Sequence, residues 1–485
     1  MGFWGGGPPT ANDCFKPVSR YFDRILRPEQ LIPALNRAMT VLTDPADCGP
    51  VTLAFAQDVQ AEACDYPESF FEERLWTQRR VRPDENELAE AVRVLRAASK
   101  PVIIAGGGVL FSEASETLAG FAARHGIPVV ETQGGKSSLP FTDPLNMGAV
   151  GVTGTGAANT LCEEADVIFA VGTRLQDFTT GSWALFKNAG KHIIGLNTQV
   201  FDATKHRALP LIADARVGLE ELSTNLGGWA APKEWTAKAQ AGFMAWMATA
   251  DTYTAPSNAE RPSDAQVIGA VQRALGRDVS LLCAAGGLPG ELHKLWQASS
   301  PSSYHMEYGF SCMGYEIAGG LGLKLAQPDR DVVVMVGDGS YMMMNSELAT
   351  SVMMGVKLTI VLLDNRGYGC INRLQHACGG ERFNNLYDYN VWQAESPQID
   401  FVAHARSQGA IALKASSLAD LESALAAAKQ NTRTTVIVID TDPMISTDAG
   451  GHWWEVAVPE VSVRPQVNEA RKKYEAAIAS QRVGD

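Results

Sequence analysis

The sequence predicts an α/β protein with two doubly wound parallel-sheet domains and a remnant of a third at the N-terminus. Three observations carry this. Short, near-continuous apolar runs recur, each followed by a turn and a helical pattern, which is the rhythm of βαβ units. The series occurs twice, separated by a Pro- and Ser-rich stretch, APSNAERPSD, from Ala255 to Asp264. The chain has 485 residues, 46% hydrophobic and 20% charged, which is enough for two or three domains with sizeable cores.

In chain order, Arg27 to Leu42 reads as an amphipathic helix and Gly49 to Ala56 as a buried strand. One helix and one strand cannot bury a core, so residues 1–70 are expected to be the last unit of a larger domain. The central domain, 85–225, is predicted from strands at Pro101–Ala105, Ile127–Thr132, Ala165–Thr173 and His192–Asn197. Their continuous apolar character is that of parallel strands covered by helices on both faces. Gly106 to Gly108 and GTGAAN at Gly154 to Asn159 lack the GxGxxG spacing and are read as tight turns rather than a dinucleotide site. Residues 226–262 are read as a polar, helix-rich linker. The C-terminal domain, 263–445, has predicted strands at Val279–Cys283, Asp331–Asp338, Lys357–Asp364 and Thr434–Asp440, with a helix at Leu418–Gln430. A tail, 446–485, carries a charged, Ala-rich helix from Pro465 to Arg482.

The balance of 54 acidic against 41 basic residues, a net charge of −13, repels phosphate backbones and anionic lipid surfaces, so neither nucleic acid nor membrane is an expected partner. No apolar stretch reaches the ~20 residues of a spanning helix, and MGFWGGGPPT lacks the pattern of a signal peptide, so the expected location is the cytoplasm. The eight cysteines include no CxxC pair and are expected to be reduced, structural thiols.

The strongest chemical signal is GDGS, Gly337 to Ser340, directly after the strand VVVMV. Asn365 follows 27 residues beyond Asp338, at the end of the next strand, in LDNRGYG. Ligands of open α/β sheets gather at such carboxyl ends. A hard cation such as Mg²⁺ takes about six oxygens and keeps phosphates among its ligands. Asp338 offers a carboxylate, Asn365 an amide oxygen, and Gly367 a backbone carbonyl. Gly337 and Gly339 let a diphosphate approach the backbone, and a helix starting near Ser346 is expected to point its N-terminus at the site. A lone Gly-Asp-Gly is also an ordinary turn, but the paired Asp and Asn at two strand ends favour the metal–diphosphate reading.

GDG followed about two dozen residues later by an asparagine resembles the cofactor signature of thiamine diphosphate enzymes. Upstream, AAGGLPGELHKLW at Ala284 to Trp296 is similar to that family's loop beneath the diphosphate, which adds Gly286 and Gly287 to the candidate cofactor residues along with Ser340. EYGFSCMGYEIAGGLGLKLA at Glu307 to Ala326 resembles the segment that bends the cofactor, and places Met313 under the bend. The resemblance implies thiamine diphosphate and Mg²⁺ as cofactors, cleavage of carbon–carbon bonds next to carbonyls, and a homo-oligomer. NDCFKPVSRYFDRILRPEQL, YGFSCMGYEIAG and LDNRGYGCINRLQ are most similar to the branch of inositol catabolism that opens a cyclic 1,2-diketone with water. A relative of acetolactate synthases or 2-oxo acid decarboxylases, and a cofactor-binding remnant without turnover, are the competing readings.

The family's activating glutamate sits in an N-terminal domain that normally precedes the segment starting at Lys16. No counterpart is found here, so the catalytic residue is unassigned, about 150 residues are expected to be absent, and the chain alone is expected to be weakly active or inactive. His305, Glu307 and Tyr308, just before the bending segment, are candidates for handling substrate protons or hydroxyls. His376 and Glu381 are weaker candidates.

Overall fold

The structure, a computed structural model, describes residues 10–188, 190–392, 395–396 and 398–482. Two six-stranded sheets, each wholly parallel, form its body. A small parallel pair precedes them, β1 (Tyr21–Ile25) and β2 (Val51–Phe55), joined by the helix Leu31–Thr43. The sequence reading had one strand there. It missed β1 because YFDRI places two charged residues in a five-residue strand, which breaks the apolar run.

The central sheet contains β3 (Pro101–Ala105), β4 (Val129–Glu131), β5 (Asn146–Ala149), β6 (Val167–Val171), β7 (His192–Asn197) and β8 (Leu209–Ile212). Their order is β5-β4-β3-β6-β7-β8, the doubly wound arrangement in which winding reverses between the first and fourth strands. The C-terminal sheet contains β9 (Ser280–Cys283), β10 (Tyr304–Met306), β11 (Val332–Gly337), β12 (Thr359–Asp364), β13 (Ile411–Ala415) and β14 (Thr435–Asp440), in the order β10-β9-β11-β12-β14-β13. Its winding reverses between β9 and β11. The edge strands β5, β8, β10 and β13 escaped the sequence reading because they are short and less continuously apolar than the central ones.

Period-two alternation divides each strand between two cores. In β11, Val333 and Met335 face the helices Asp264–Leu275, Leu288–Leu295 and Leu418–Gln430, whereas Val332, Val334 and Val336 face Tyr315–Ala326, Glu347–Met353 and Phe401–Ser407. Each side chain is nearly inaccessible to water, and full burial of one such residue contributes about 1.5–3 kcal/mol.

The segment 226–262 holds a 22-residue helix, Lys233–Thr254. Trp235 and Ala239 at its start belong to the core of the central domain, while Trp246 and Ala250, further along, belong to that of the C-terminal domain. The Trp235 indole donates to the Pro101 carbonyl at 2.8 Å. The two domains are therefore clamped by a shared helix. The tail helix, Pro465–Ile478, is followed by Gln481, whose amide donates to the Ser182 carbonyl of the central domain. No helix among the described residues is long and apolar enough to cross a membrane.

A buried polar seam completes the clamp. His293 is 1% exposed. Its Nε2 lies 3.1 Å from the Glu131 carbonyl, which only accepts, so Nε2 carries the hydrogen. Nδ1 then accepts from the Thr153 hydroxyl at 3.0 Å, and the ring is neutral. Lys136 Nζ donates to the His293 carbonyl at 3.0 Å, Gln133 Nε2 donates to the Pro289 carbonyl at 2.9 Å, and the Tyr304 hydroxyl donates to Gln133 Oε1 at 3.1 Å. Burial, with help from the Lys136 charge, pushes the His293 pKa down from 6.5 to about 3. Between those values the unfolded chain binds a proton that the folded one refuses. The contribution of neutral His293 is complete above pH 6.5 and is lost as pH falls toward 3. Lowering the pH from 6.5 to 5 should therefore cost about 2 kcal/mol at this residue. His293→Gln should flatten the fall of the unfolding midpoint over that range, as followed by circular dichroism; an unchanged slope would show that the seam does not titrate this way.

Candidate functional site

The site lies at the carboxyl edge of the C-terminal sheet, beside the β9/β11 reversal. β11 pairs with β12 in the register Gly337↔Leu363. Asp338 thus leaves the sheet beside Asp364, and Asn365 follows one residue later. Both groups predicted from the sequence come together. One terminal atom of the Asn365 amide lies 3.2 Å from Asp338 Oδ1 and 2.8 Å from the Gly367 carbonyl oxygen. With nitrogen in that position the amide donates to both. With oxygen there, three acceptors converge, which is favourable only with a cation between them. Oxygens held at 2.0–2.1 Å around an octahedral Mg²⁺ stand about 3 Å apart, which is the separation of this cluster. Asp338 Oδ2 is buried without a hydrogen-bond partner, so the carboxylate has an unused acceptor. The residues present therefore fit a divalent cation.

Electrostatics point the same way. Burial pushes the Asp338 carboxyl up to about 7 and the neighbouring Asp364 adds to the rise, while the backbone amides of Gly367, Asn365 and Gly339 oppose it. A bound cation reverses that pressure by stabilising the ionised form. Gly367 has φ +138°, and a Cβ there would stand 2.5 Å from the Asn385 carbonyl oxygen, so only glycine turns the backbone this way.

The other candidate glycines are of two kinds. A Cβ on Gly337 or Gly286 would meet no protein atom within 4 Å, so both face open space where a ligand has room. A Cβ on Gly339 would stand 2.8 Å from the Tyr368 ring, and one on Gly287 would collide with Arg373 Nη2. These two make room for protein neighbours. Met313 is half-buried in the turn before the helix Tyr315–Ala326 and belongs to none of the apolar core clusters.

The helix expected near Ser346 is present as Glu347–Met353, with Ser346 as its N-cap, and a shorter one, Asp338–Met343 with Gly337 as its extended N-cap, opens directly at the site. One expectation is corrected. The Ser340 hydroxyl, taken as a cofactor ligand, turns inward. It lies 2.8 and 2.7 Å from the two carboxylate oxygens of Glu316 and accepts from Gly314 N–H at 2.8 Å. Its hydrogen-bonding capacity is spent inside the protein.

Glu316 escaped the sequence reading. It is 1% exposed and also accepts from Ala285 N–H at 3.4 Å and Gly314 N–H at 3.1 Å. One buried carboxyl thus ties the loop after β9, the turn carrying Met313 and the GDGS segment together. A lone acid inside the apolar stretch YEIAGGLGLKLA was the available signal.

His305 and Tyr308 line a cleft of about 850 Å³ that extends to Gly107, Thr132 and Asn197 of the central domain. His305 Nε2 is 2.8 Å from the Tyr315 hydroxyl. Glu307 is occupied with its own loop, accepting from Phe310 N–H at 3.1 Å and Cys312 N–H at 2.7 Å. Glu381 pairs with Arg464 at 2.6 Å, and His376 is half-buried with no partner at Nε2; neither joins the cluster around Asp338. At Gly106 a Cβ would strike the Gly172 carbonyl, as a tight strand-to-helix turn requires.

The shared carboxyl has a measurable signature. Ser340→Ala and Glu316→Gln should each lower stability by about 1–3 kcal/mol. Because they remove the same contact, the double variant should be little worse than the poorer single one. Additive losses in a denaturant double-mutant cycle would show that the two residues act separately.

The chain is similar to known proteins over both large domains. Residues 284–439 match the model of the thiamine pyrophosphate enzyme C-terminal TPP binding domain, and residues 88–222 match that of the thiamine pyrophosphate enzyme central domain. A protein of Geobacillus thermodenitrificans named 3D-(3,5/4)-trihydroxycyclohexane-1,2-dione hydrolase is 40% identical, across 96% of this chain and 77% of its own length. Proteins of the same name from Bacillus anthracis and Bacillus thuringiensis are 41% and 40% identical, across 97% of this chain and 77% of theirs. With both large domains matched and relatives similar over nearly the whole sequence, the chain belongs to the thiamine pyrophosphate enzyme family.

Proposed function

We propose that this chain is a thiamine diphosphate- and Mg²⁺-dependent hydrolase that opens 3D-(3,5/4)-trihydroxycyclohexane-1,2-dione to 5-deoxy-D-glucuronate in myo-inositol catabolism. The observation that carries the cofactor reading is the convergence of Asp338, Asn365 and the Gly367 carbonyl at two adjacent strand ends. The similarity to proteins named for that substrate, across 96% of the chain, supports the reaction.

In this reading Asp338 and Asn365 bind Mg²⁺ through their side chains, and Gly367 through its carbonyl. Gly286 and Gly337 leave open space for the diphosphate, while Gly287 and Gly339 keep the backbone free of side chains that would displace Arg373 and Tyr368. Met313, outside the cores, supports the bend between the cofactor rings. Glu316 and Ser340 fix the three segments relative to one another. When bound, thiamine diphosphate supplies a nucleophilic carbon and an electron sink, the chemistry required to break a carbon–carbon bond beside a carbonyl. The functional domains are 85–225 and 263–445, joined by 226–262, with 1–70 and 446–485 flanking them. The enzyme is proposed to act in the cytoplasm as a homo-oligomer on a small cyclic diketone.

Isothermal titration with thiamine diphosphate in the presence of Mg²⁺ tests the site. The unsubstituted chain should bind, and Asp338→Ala should weaken Mg²⁺-dependent binding by more than about 100-fold, since loss of an outer contact alone costs about 10–100-fold. Equal binding by both would remove Asp338 from the site. The substrate is tested by following ring opening of the cyclic dione beside carbon dioxide release from pyruvate. Turnover of pyruvate alone would favour a decarboxylase-type reaction.

A further inference from the structure

The loop beneath the candidate diphosphate position is poor in donors. From Ala284 to Leu288 it reads Ala, Ala, Gly, Gly, Leu, so it has only backbone amides to offer. The Ser340 hydroxyl is committed to Glu316 and Gly314. A diphosphate carries more negative charge than one divalent cation neutralises once the Asp338 carboxylate is counted. A second positive group is therefore favoured near the loop.

Arg373 stands there. It projects from the helix Gly369–Ala377, which starts two residues after Gly367, and its Nη2 occupies the room that the missing Gly287 side chain leaves. Nη1 donates to the Pro443 carbonyl at 2.6 Å, which anchors one side of the guanidinium. Nη2 and Nε have no acceptor among the described residues. Burial raises the pKa of Asp264, which is 6% exposed and has no hydrogen-bond partner at Oδ1, and the Arg373 charge opposes that rise. Arg373 and Asp264 thus influence each other without forming a close ion pair, and the guanidinium retains a free edge toward Gly287. A planar guanidinium anchored on one side and open on the other suits a phosphate oxygen.

We propose that Arg373 is a cofactor-binding residue that donates from Nη2 to the diphosphate at Gly287, supplying the charged donor the loop lacks; this rests on the thiamine diphosphate reading of the site. It also accounts for the paired choice of glycine at 287 and arginine at 373, since a side chain at 287 would displace the guanidinium.

The test is isothermal titration of the unsubstituted chain, Arg373→Met and Arg373→Lys with thiamine diphosphate at fixed Mg²⁺, over a series of salt concentrations, with unfolding midpoints measured in parallel. Arg373→Met keeps the length and apolar stem but removes the charge. It should raise the Kd for thiamine diphosphate about 10- to 100-fold and make binding less sensitive to salt, with its unfolding midpoint lowered only slightly, by the lost Pro443 hydrogen bond. Arg373→Lys should recover part of the affinity and the salt dependence. A Kd for Arg373→Met within threefold of the unsubstituted chain would overturn the assignment. So would equal losses in the Met and Lys variants together with markedly lowered midpoints, because that pattern marks a packing role. If the unsubstituted chain binds and Arg373→Met is indifferent, this inference alone fails. If the unsubstituted chain does not bind thiamine diphosphate, the cofactor reading fails with it.

Discussion

The parallel pairing of β11 with β12 is the constraint from which the site follows. Side chains alternate between faces every residue, so a slip of one position would exchange Val333 and Met335, or Ile360 and Leu362, into the opposite core, which is packed around side chains of other shapes. The apolar faces therefore lock the register Gly337↔Leu363. Once it is locked, the residues just beyond the strands have no freedom left: Asp338 and Asn365 emerge side by side. The buried hydrophobic pattern thus sets the position of a polar cluster that contributes nothing to the core.

The same economy applies to the backbone around the cluster. Gly367 holds a conformation closed to other residues, and the carbonyl it turns inward is the third oxygen of the group. Asp338 is fully buried with one oxygen unpartnered, an arrangement that costs free energy in the absence of a counter-ion. A strained backbone and a desolvated carboxylate brought together at one sheet edge are the marks of a site shaped for a ligand rather than for stability.

The second domain is held to the first by two unlike devices. The helix Lys233–Thr254 places tryptophans in both cores, which gives adhesion with little directional preference. The seam of Glu131, Gln133, Lys136, His293 and Tyr304 gives direction, because each hydrogen bond is satisfied in one relative placement of the domains. Breaking one partner of such a seam leaves a buried polar group exposed to an apolar surround, which is more costly than the bond's net contribution. The consequence reaches the cofactor edge: Pro289 and His293 belong to the helix that follows Gly286 and Gly287, so the loop beneath the diphosphate position is braced from the central domain.

The sequence by itself determined the two parallel sheets, since continuous apolar strands such as PVIIA and TIVLLD occur only where both faces are covered, and it determined the Asp338, Asn365 and Gly367 cluster, since motif and spacing are local properties of consecutive strand ends. Short edge strands such as β1 and β10 were not legible, because their residues carry too few apolar side chains to stand out from loops. The inward turn of Ser340, the burial of Glu316, the approach of Arg373 to Gly287 and the His293 seam were decided only by tertiary structure. They join residues from 24 to 171 positions apart, and no local pattern encodes which of many polar side chains will meet across a packed interface. Hydrophobic periodicity repeats along the chain and can be read from it; the partner of a buried polar group is fixed only when the elements carrying both have docked.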